Sequence, residues 1–307
     1  MRTAAYLPDL RFFTCDVFTE KPFAGNPLAI VRRADGLSTE QMQIVAREFN
    51  LSETIFVQTP ANPAHSAKVR IFFPDGEIPF AGHPTIGCAI HLALETAPEG
   101  DFTQQIVLEE EAGIVPVAVT RTAGAVSATL KAPVVPFAGT GTLPPTGTLA
   151  SAVGLTEPEL GFDTHAAGLW QGGPAFLYIP VRDLAALAKA RPIEPHWTDV
   201  MEAAGVDSAY LYTPGSDCDF RARMFSPTAG IPEDPATGSA TAILAAQLKA
   251  AGALAAGKSR FVLHQGVEMG RASQLDLAVT MQGDQITAVH LTGSAVSISQ
   301  GTVRRPD

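Results

Sequence analysis

The sequence predicts an α+β fold written twice, each copy a mixed β-sheet wrapped around one central α-helix. Three observations carry this expectation. First, RMFSPTAGIPEDPATGSATAI, which starts at Arg223, lies without a gap over RIFFPDGEIPFAGHPTIGCAI, which starts at Arg70, about half a chain earlier. Both open with Arg, an apolar residue and Phe, share an Ile-Pro pair, and end in a small, apolar, Gly-containing run. Second, these stretches run into PTIGCAIHLAL and GSATAILAAQL, which are apolar nearly all round. A helix with no polar face must be buried on every side. Third, the segments around both helices read mostly as strands, so the burying partner is a sheet.

The elements follow in order. In RFFTCDVF, Phe13, Cys15 and Val17 alternate with Thr14, Asp16 and Phe18, a strand pattern. EKPFAGN is a turn and PLAIV a short apolar strand. In LSTEQMQIVAREF, Ser38 and Gln41 are placed for a capping box, and Met42, Val45, Ala46 and Phe49 recur at helical spacing. ETIFV and AKVRIFF read as strands, and Pro84 suits the first turn of the apolar helix. IVLEEEAGIVPVAVTR and AVSATLKA look like hairpin material. PVVPFAGTGTLPPTGTLA (133–150) is crowded with Pro, Gly and Thr, has no helical period, and is the linker candidate. This divides the chain into domains at 1–132 and 133–289. Beyond the linker the order recurs. QGGPAFLYIPV falls under FAGNPLAIVR, with Gly172 under Gly25 and Pro174 under Pro27, and HWTDVMEAAGVDSAYLY falls under the helix and the strand that ends NLSETIFV.

Composition narrows the function classes. At 307 residues, 46% hydrophobic and 17% charged, the chain can bury a substantial core. A net charge of −10 repels nucleic acid and anionic lipid, so neither is an expected partner, although a local site can still attract a small anion. Cys15, Cys88 and Cys218 are odd in number, and no two sit at metal-ligand spacing. A disulfide framework or zinc motif is not expected, and a reducing compartment is. MRTAAYLPDLRFF lacks the apolar core of a signal peptide, and the Ala-rich SATAILAAQLKAAGALAA reads as a soluble helix rather than a membrane span. The expectation is a cytoplasmic protein. The histidines show neither His-x-His nor His-Glu-x-x-His spacing, and no nucleotide fingerprint follows a strand, so neither metal nor organic cofactor is expected.

The two copies differ just ahead of their apolar helices, where FAGHPTIG faces EDPATGSA. Helix N-termini expose unpaired N–H groups and partial positive charge. Gly82, Gly238 and Ser239 are small enough for a ligand to approach that backbone. Two such termini facing across an interdomain cleft would bind a carboxylate and stabilise an enolate-like charge. Ordinary capping is the alternative. Glu53 stands where a loop meets an apolar strand, and its repeat-mate is Ser208. A carboxylate present in only one copy fits an asymmetric proton-transfer site, and apolar neighbours raise its pKa toward that of a useful base or acid. The alternative is a solvated strand-edge residue. His83 and Asp234 are the other polar residues at the two helix starts, placed to position a substrate or share a proton, or else to cap. Cys88 reads as a small core residue, and Arg70 and Arg223 as structural partners of carboxylates.

DVFTEKPFAGNPLAIV, NLSETIFV, RIFFPDGEIPFAGHPTIG and GIPEDPATGSA resemble the recurring phrases of the PhzF family, the phenazine-biosynthesis isomerase-like proteins, from Asp16 to about Ala240. The resemblance implies the duplicated diaminopimelate epimerase-like fold, an active site between the domains, a C-terminal strand (290–307) that returns to the first domain, a homodimer, and no cofactor. It implies Glu53 as the group that moves a proton between carbons, with the family's histidine at His83, its aspartate at Asp234 and its serine at Ser239. Epimerases of this fold use two thiols at the helix starts. Here those places hold Gly82 and Asp234, so a two-thiol mechanism is excluded. The expected activity is a cofactor-independent isomerisation of a small carboxylate-bearing substrate. A one-base epimerase or lyase, and a non-catalytic small-molecule binding protein, stand as alternatives.

Overall fold

The computed structural model describes residues 9–307; the stretch 1–8, which opens the first expected domain and the segment read for a signal peptide, lies outside the described residues. The chain divides into two units. The first holds the residues up to Phe23, Pro27–Ala128 and Ser294–Asp307; the second holds Ala24–Asn26 and Thr129–Gly293.

The first unit is built from β1 (Leu10–Val17), β2 (Asn26–Val31), α1 (Thr39–Phe49), β3 (Glu53–Gln58), β4 (Ala67–Phe73), β5 (Gly76–Ile78), α2 (Gly82–Thr96), β6 (Phe102–Glu110) and β7 (Gly113–Thr122). β2 and β3 run parallel, β3 and β4 antiparallel, β4 and β6 parallel, and β6 and β7 antiparallel. The capping box forms as the sequence predicts. Ser38 Oγ accepts from the Gln41 N–H (3.2 Å), and Gln41 Oε1 accepts from the Ser38 N–H (3.0 Å). Met42, Val45 and Ala46 of α1 pack with Phe56 and Phe72. The helix stops at Asn50, whose left-handed φ of 50° turns the chain straight into β3. That turn makes Glu53 the first residue of the strand, beside Leu28 of β2.

The second unit begins with β8 (Ala125–Lys131), which straddles the division, β9 (Phe137–Ala138) and α3 (Thr146–Ala152). It continues through β10 (Gly168–Gln171), β11 (Ala175–Pro180), α4 (Leu184–Lys189), α5 (His196–Ala204), β12 (Ala209–Pro214), β13 (Phe220–Ser226), β14 (Ile231–Asp234), α6 (Gly238–Ala250), β15 (Gly257–Gln265) and β16 (Ser273–Gln282). β17 (Gln285–Val303) pairs with β16 over its first part; its later residues, from Ala295 to Val303, pair with β1 of the first unit. The succession of pairings matches the first unit: β11 and β12 parallel, β12 and β13 antiparallel, β13 and β15 parallel, β15 and β16 antiparallel.

Each unit encloses one apolar helix in a mixed sheet, an α+β arrangement. β1, β3, β6 and β7 contact α2, and β9, β10, β11 and β16 contact α6. Both helices are buried over nearly their whole length. α2 lies so close to the strands that a Cβ on Gly87 would come within 2.6 Å of Leu28 and 2.7 Å of Val17. The 133–150 stretch differs from the irregular linker expected. It carries β9 and α3, whose Leu149 and Ala152 join the core around Trp197. A helix this short shows no period amid Pro, Gly and Thr, and tertiary burial supplies what propensity does not. Arg70 and Arg223 do pair with carboxylates: Arg70 Nε lies 2.6 Å from Glu77 and Arg223 Nε 2.7 Å from Glu233. Among the described residues no helix is long and apolar enough to cross a membrane.

Candidate active site

The first unit brings Glu53, Gly82 and His83 together. α2 starts at Gly82 after Ala81, which has no side chain able to cap, so the first-turn N–H groups receive no side-chain cap. His83, 3% exposed, points its Nδ1 at Glu53 Oε2, 3.3 Å away, and Glu53 is 14% exposed. Burial pushes the His83 imidazole down to about 3, against the weaker opposing pull of the Pro27 carbonyl. The ring is therefore neutral at physiological pH, and the contact is not an ion pair. The result is a carboxylate at a strand end, 3.3 Å from a buried neutral imidazole beside a helix N-terminus.

One turn further into α2, Thr85 Oγ1 sits 2.7 Å from Glu110 Oε1 and 2.7 Å from the Ala81 carbonyl. Burial pushes Glu110 up to about 8, with the Thr85 hydroxyl opposing. Glu110 is thus a protonated acid near neutrality, at the end of β6. It was not singled out from the sequence, where EEE reads as a solvated hairpin edge. The signal was the two-residue alternation: Ile106, Leu108 and Glu110 share the buried face of β6. Cys88 is fully buried in α2 and its thiol is pushed up by burial, and Cys15 likewise, to about 12. Both are core residues, as expected of Cys88.

The second unit brings Asp234, Gly238 and Ser239 together. Asp234 ends β14, and α6 starts at Gly238 after Thr237, which makes no side-chain cap. Thr237 instead donates its hydroxyl to Asp234 Oδ2 at 2.6 Å. Asn26 Nδ2 donates to Asp234 Oδ1 at 2.8 Å and to the Ala236 carbonyl at 3.0 Å. Gln265 locks the same turn: its Nε2 donates to the Asp234 carbonyl at 2.8 Å, and its Oε1 accepts from the Thr237 N–H at 3.1 Å. Asn26, Thr237 and Gln265 are buried, and none was singled out from the sequence. Asn26 and Thr237 lie inside the quoted motifs, which is a usable signal; Gln265 is joined to the site only by the fold. Ser208, the repeat-mate of Glu53, donates its hydroxyl to Ser226 Oγ at 2.8 Å within the second unit. The carboxylate–imidazole pair therefore belongs to the first unit alone.

Comparison with known proteins bears on this arrangement. The profile of the PhzC-PhzF family, described as phenazine biosynthesis-like protein, matches residues 15–301. An uncharacterized isomerase of Mesorhizobium japonicum is 40% identical over 292 residues, covering 93% of this chain and 96% of that protein. Trans-2,3-dihydro-3-hydroxyanthranilate isomerase of Pseudomonas chlororaphis is 34% identical over 289 residues, covering 94% and 97%. The crystal structure of a PhzF-family phenazine biosynthesis protein of Bacillus anthracis superposes with a TM-score of 0.84 over 97% of this chain and 99% of that one; at 24% identity it is a likeness of fold.

Proposed function

The chain belongs to the PhzC-PhzF family of phenazine biosynthesis-like proteins and is an isomerase, and we propose that it moves a proton between carbons of a small carboxylate-bearing substrate without a cofactor. The observation that carries this reading is the Glu53–His83 pair, a carboxylate 3.3 Å from a buried neutral imidazole at the start of α2. Glu53 takes a proton from an activated substrate carbon and returns it to another. Neutral His83 orients that carboxylate without neutralising it as an imidazolium would. The N–H groups at Gly82 and His83, and at Gly238 and Ser239, bind the substrate carboxylate and the charge that develops on proton removal. Asp234, held by Asn26 and Thr237, accepts a hydrogen bond from a substrate amine or hydroxyl.

In this reading the two sets of residues serve one substrate, bound between two domains of a duplicated diaminopimelate epimerase-like fold, the first completed by the C-terminal strand. The matched succession of strand pairings in the two units supports the duplication. A homodimer in the cytoplasm is part of the same proposal; three free cysteines suit a reducing compartment.

The test is proton NMR of candidate amino and hydroxy acids in D₂O, trans-2,3-dihydro-3-hydroxyanthranilate among them, with wild type and Glu53→Gln. Deuterium should enter a substrate carbon with wild type and not with the variant. Uptake that survives the substitution moves the base elsewhere. Ligand binding with no exchange in either protein sinks the isomerase reading in favour of a binding role. Exchange that inverts one centre without moving a double bond marks an epimerase.

A further inference from the structure

We propose that Asp217, Cys218 and His264 form a binding site for one divalent transition-metal ion, zinc above all, clipping the β12–β13 turn to β15. Spacing along the chain argued against a metal centre, since Cys218 and His264 lie far apart in sequence. The fold removes that objection. β13 and β15 run parallel with Arg221 opposite His264, which sets the imidazole beside the turn that precedes β13. One donor atom from each of the three side chains falls within 4.8 Å of the others. His264 Nδ1 is 3.5 Å from Asp217 Oδ2. A tetrahedral zinc with ordinary Zn–N and Zn–O bonds separates two such ligands by about 3.4 Å, so this edge is already at coordination distance.

The donor set selects the ion. Thiolate plus imidazole suits zinc and its neighbours, whereas magnesium and calcium take oxygen ligands. Three protein ligands leave a fourth position for water, and Asp217, 64% exposed, gives the ion a way in. The turn is shaped around the sulfur: a Cβ on Gly215 would collide with Cys218 Sγ. Asp276 lies two residues along β16 from Gln274, the cross-strand partner of His264, on the same strand face, where a carboxylate can back a metal-bound imidazole. In the absence of metal the Cys218 thiol donates to the Phe220 carbonyl at 3.2 Å. On binding, that proton leaves to solvent and the thiolate takes the ion. A nucleophilic role fits less well, because burial and Asp217 push the thiol up rather than down.

The test uses the full chain, stripped with a chelator, and needs no substrate. Zinc is titrated by calorimetry and cobalt(II) by absorption, in wild type, Cys218→Ser, His264→Ala and Asp217→Asn, with circular dichroism confirming each fold. One zinc per chain and a sulfur-to-cobalt charge-transfer band are expected in wild type, with the band lost in Cys218→Ser and affinity lost in His264→Ala. Zinc should also raise the melting temperature of wild type and not of Cys218→Ser. Asp276→Asn should weaken zinc about 10–100-fold while leaving the band in place. Should the half-buried positions fail to fold on substitution, exposed Asp217→Asn still reads the site through a weaker zinc affinity. No thiolate band in wild type, or zinc affinity equal in all variants, overturns the proposal.

Discussion

The two apolar helices start in different company, and in the proposed reaction the contrast separates two jobs. At α2 the polar residues are few: Glu53 beside a neutral His83. At α6 the carboxylate is tied down. Asp234 accepts from Asn26 and Thr237, and Gln265 braces the backbone behind it. A side chain fixed through both oxygens serves as a rigid acceptor, whereas one beside a neutral imidazole keeps its charge for taking up a proton. The arginines show a parallel contrast. Arg70 pairs with Glu77 near the surface, while Arg223 is buried and also donates to the carbonyls of Leu187 (2.9 Å) and Ala190 (2.7 Å).

The sharpest way to break the comparison is to exchange the proposed proton carrier. Glu53→Gln should lower the rate of solvent-deuterium exchange by about 10²- to 10⁴-fold, read by NMR, with the fold intact by circular dichroism. An unchanged rate would remove the distinction between the two helix starts. Next is the arginine pair. Arg223→Ala should cost about 3–5 kcal/mol in urea denaturation, because it strands Glu233 and two buried carbonyl contacts. Arg70→Ala should cost about 1 kcal/mol or less, as a partly solvated pair does. Equal losses would show that the two units use their matched arginines alike. Asn26→Ala should cost about 1–3 kcal/mol in thermal unfolding and slow exchange less than Glu53→Gln does, since it loosens Asp234 without removing it.

A further effect is the pH dependence of stability, set within the first unit. His83 is held at about 3 against an ordinary 6.5, so as pH falls from 6.5 toward 3 the unfolded chain binds a proton that the folded chain refuses, and stability falls. Glu110 is held at about 8 against an ordinary 4.5, so as pH rises from 4.5 toward 8 the unfolded chain sheds a proton that the folded chain keeps, and stability falls again. Each slope is at most about 1.4 kcal/mol per pH unit. Where the windows overlap, between 4.5 and 6.5, the two slopes oppose, and the profile should be flat from these groups. Denaturation midpoints across pH should show that plateau, and Glu110→Gln should remove the decline between 6.5 and 8 while leaving the acid limb. A decline that persists in Glu110→Gln would assign it to another group.

Much of this was legible before any coordinates. The α1 capping box is local, written in four residues, and needs no tertiary partner. The burial of α2 and α6 was legible because a helix without a polar face has one stable place. Glu53 was singled out because one copy of the repeat carried a carboxylate that the other lacked, and His83 and Asp234 because they are the polar residues at the two helix starts. Gln265 was invisible, since nothing in FVLHQG marks it; β15 delivers it to the α6 turn through pairings with distant strands. Glu110 was hidden by its acidic neighbours. Of Asp217, Cys218 and His264 the sequence drew notice only to the cysteine, because their closeness depends on the β13–β15 register.

The sequence by itself determined the repeated order of elements, the two buried helices and the identity of the groups at their starts. These follow from local capping, period and composition, which act over a few residues. The tertiary structure alone decided which protons those groups hold. His83 is neutral because the fold strips water from its ring, and Glu110 is an acid because β6 carries it beneath α2. Desolvation and long-range pairing depend on what lies close in space, and that proximity exists only once the chain has folded.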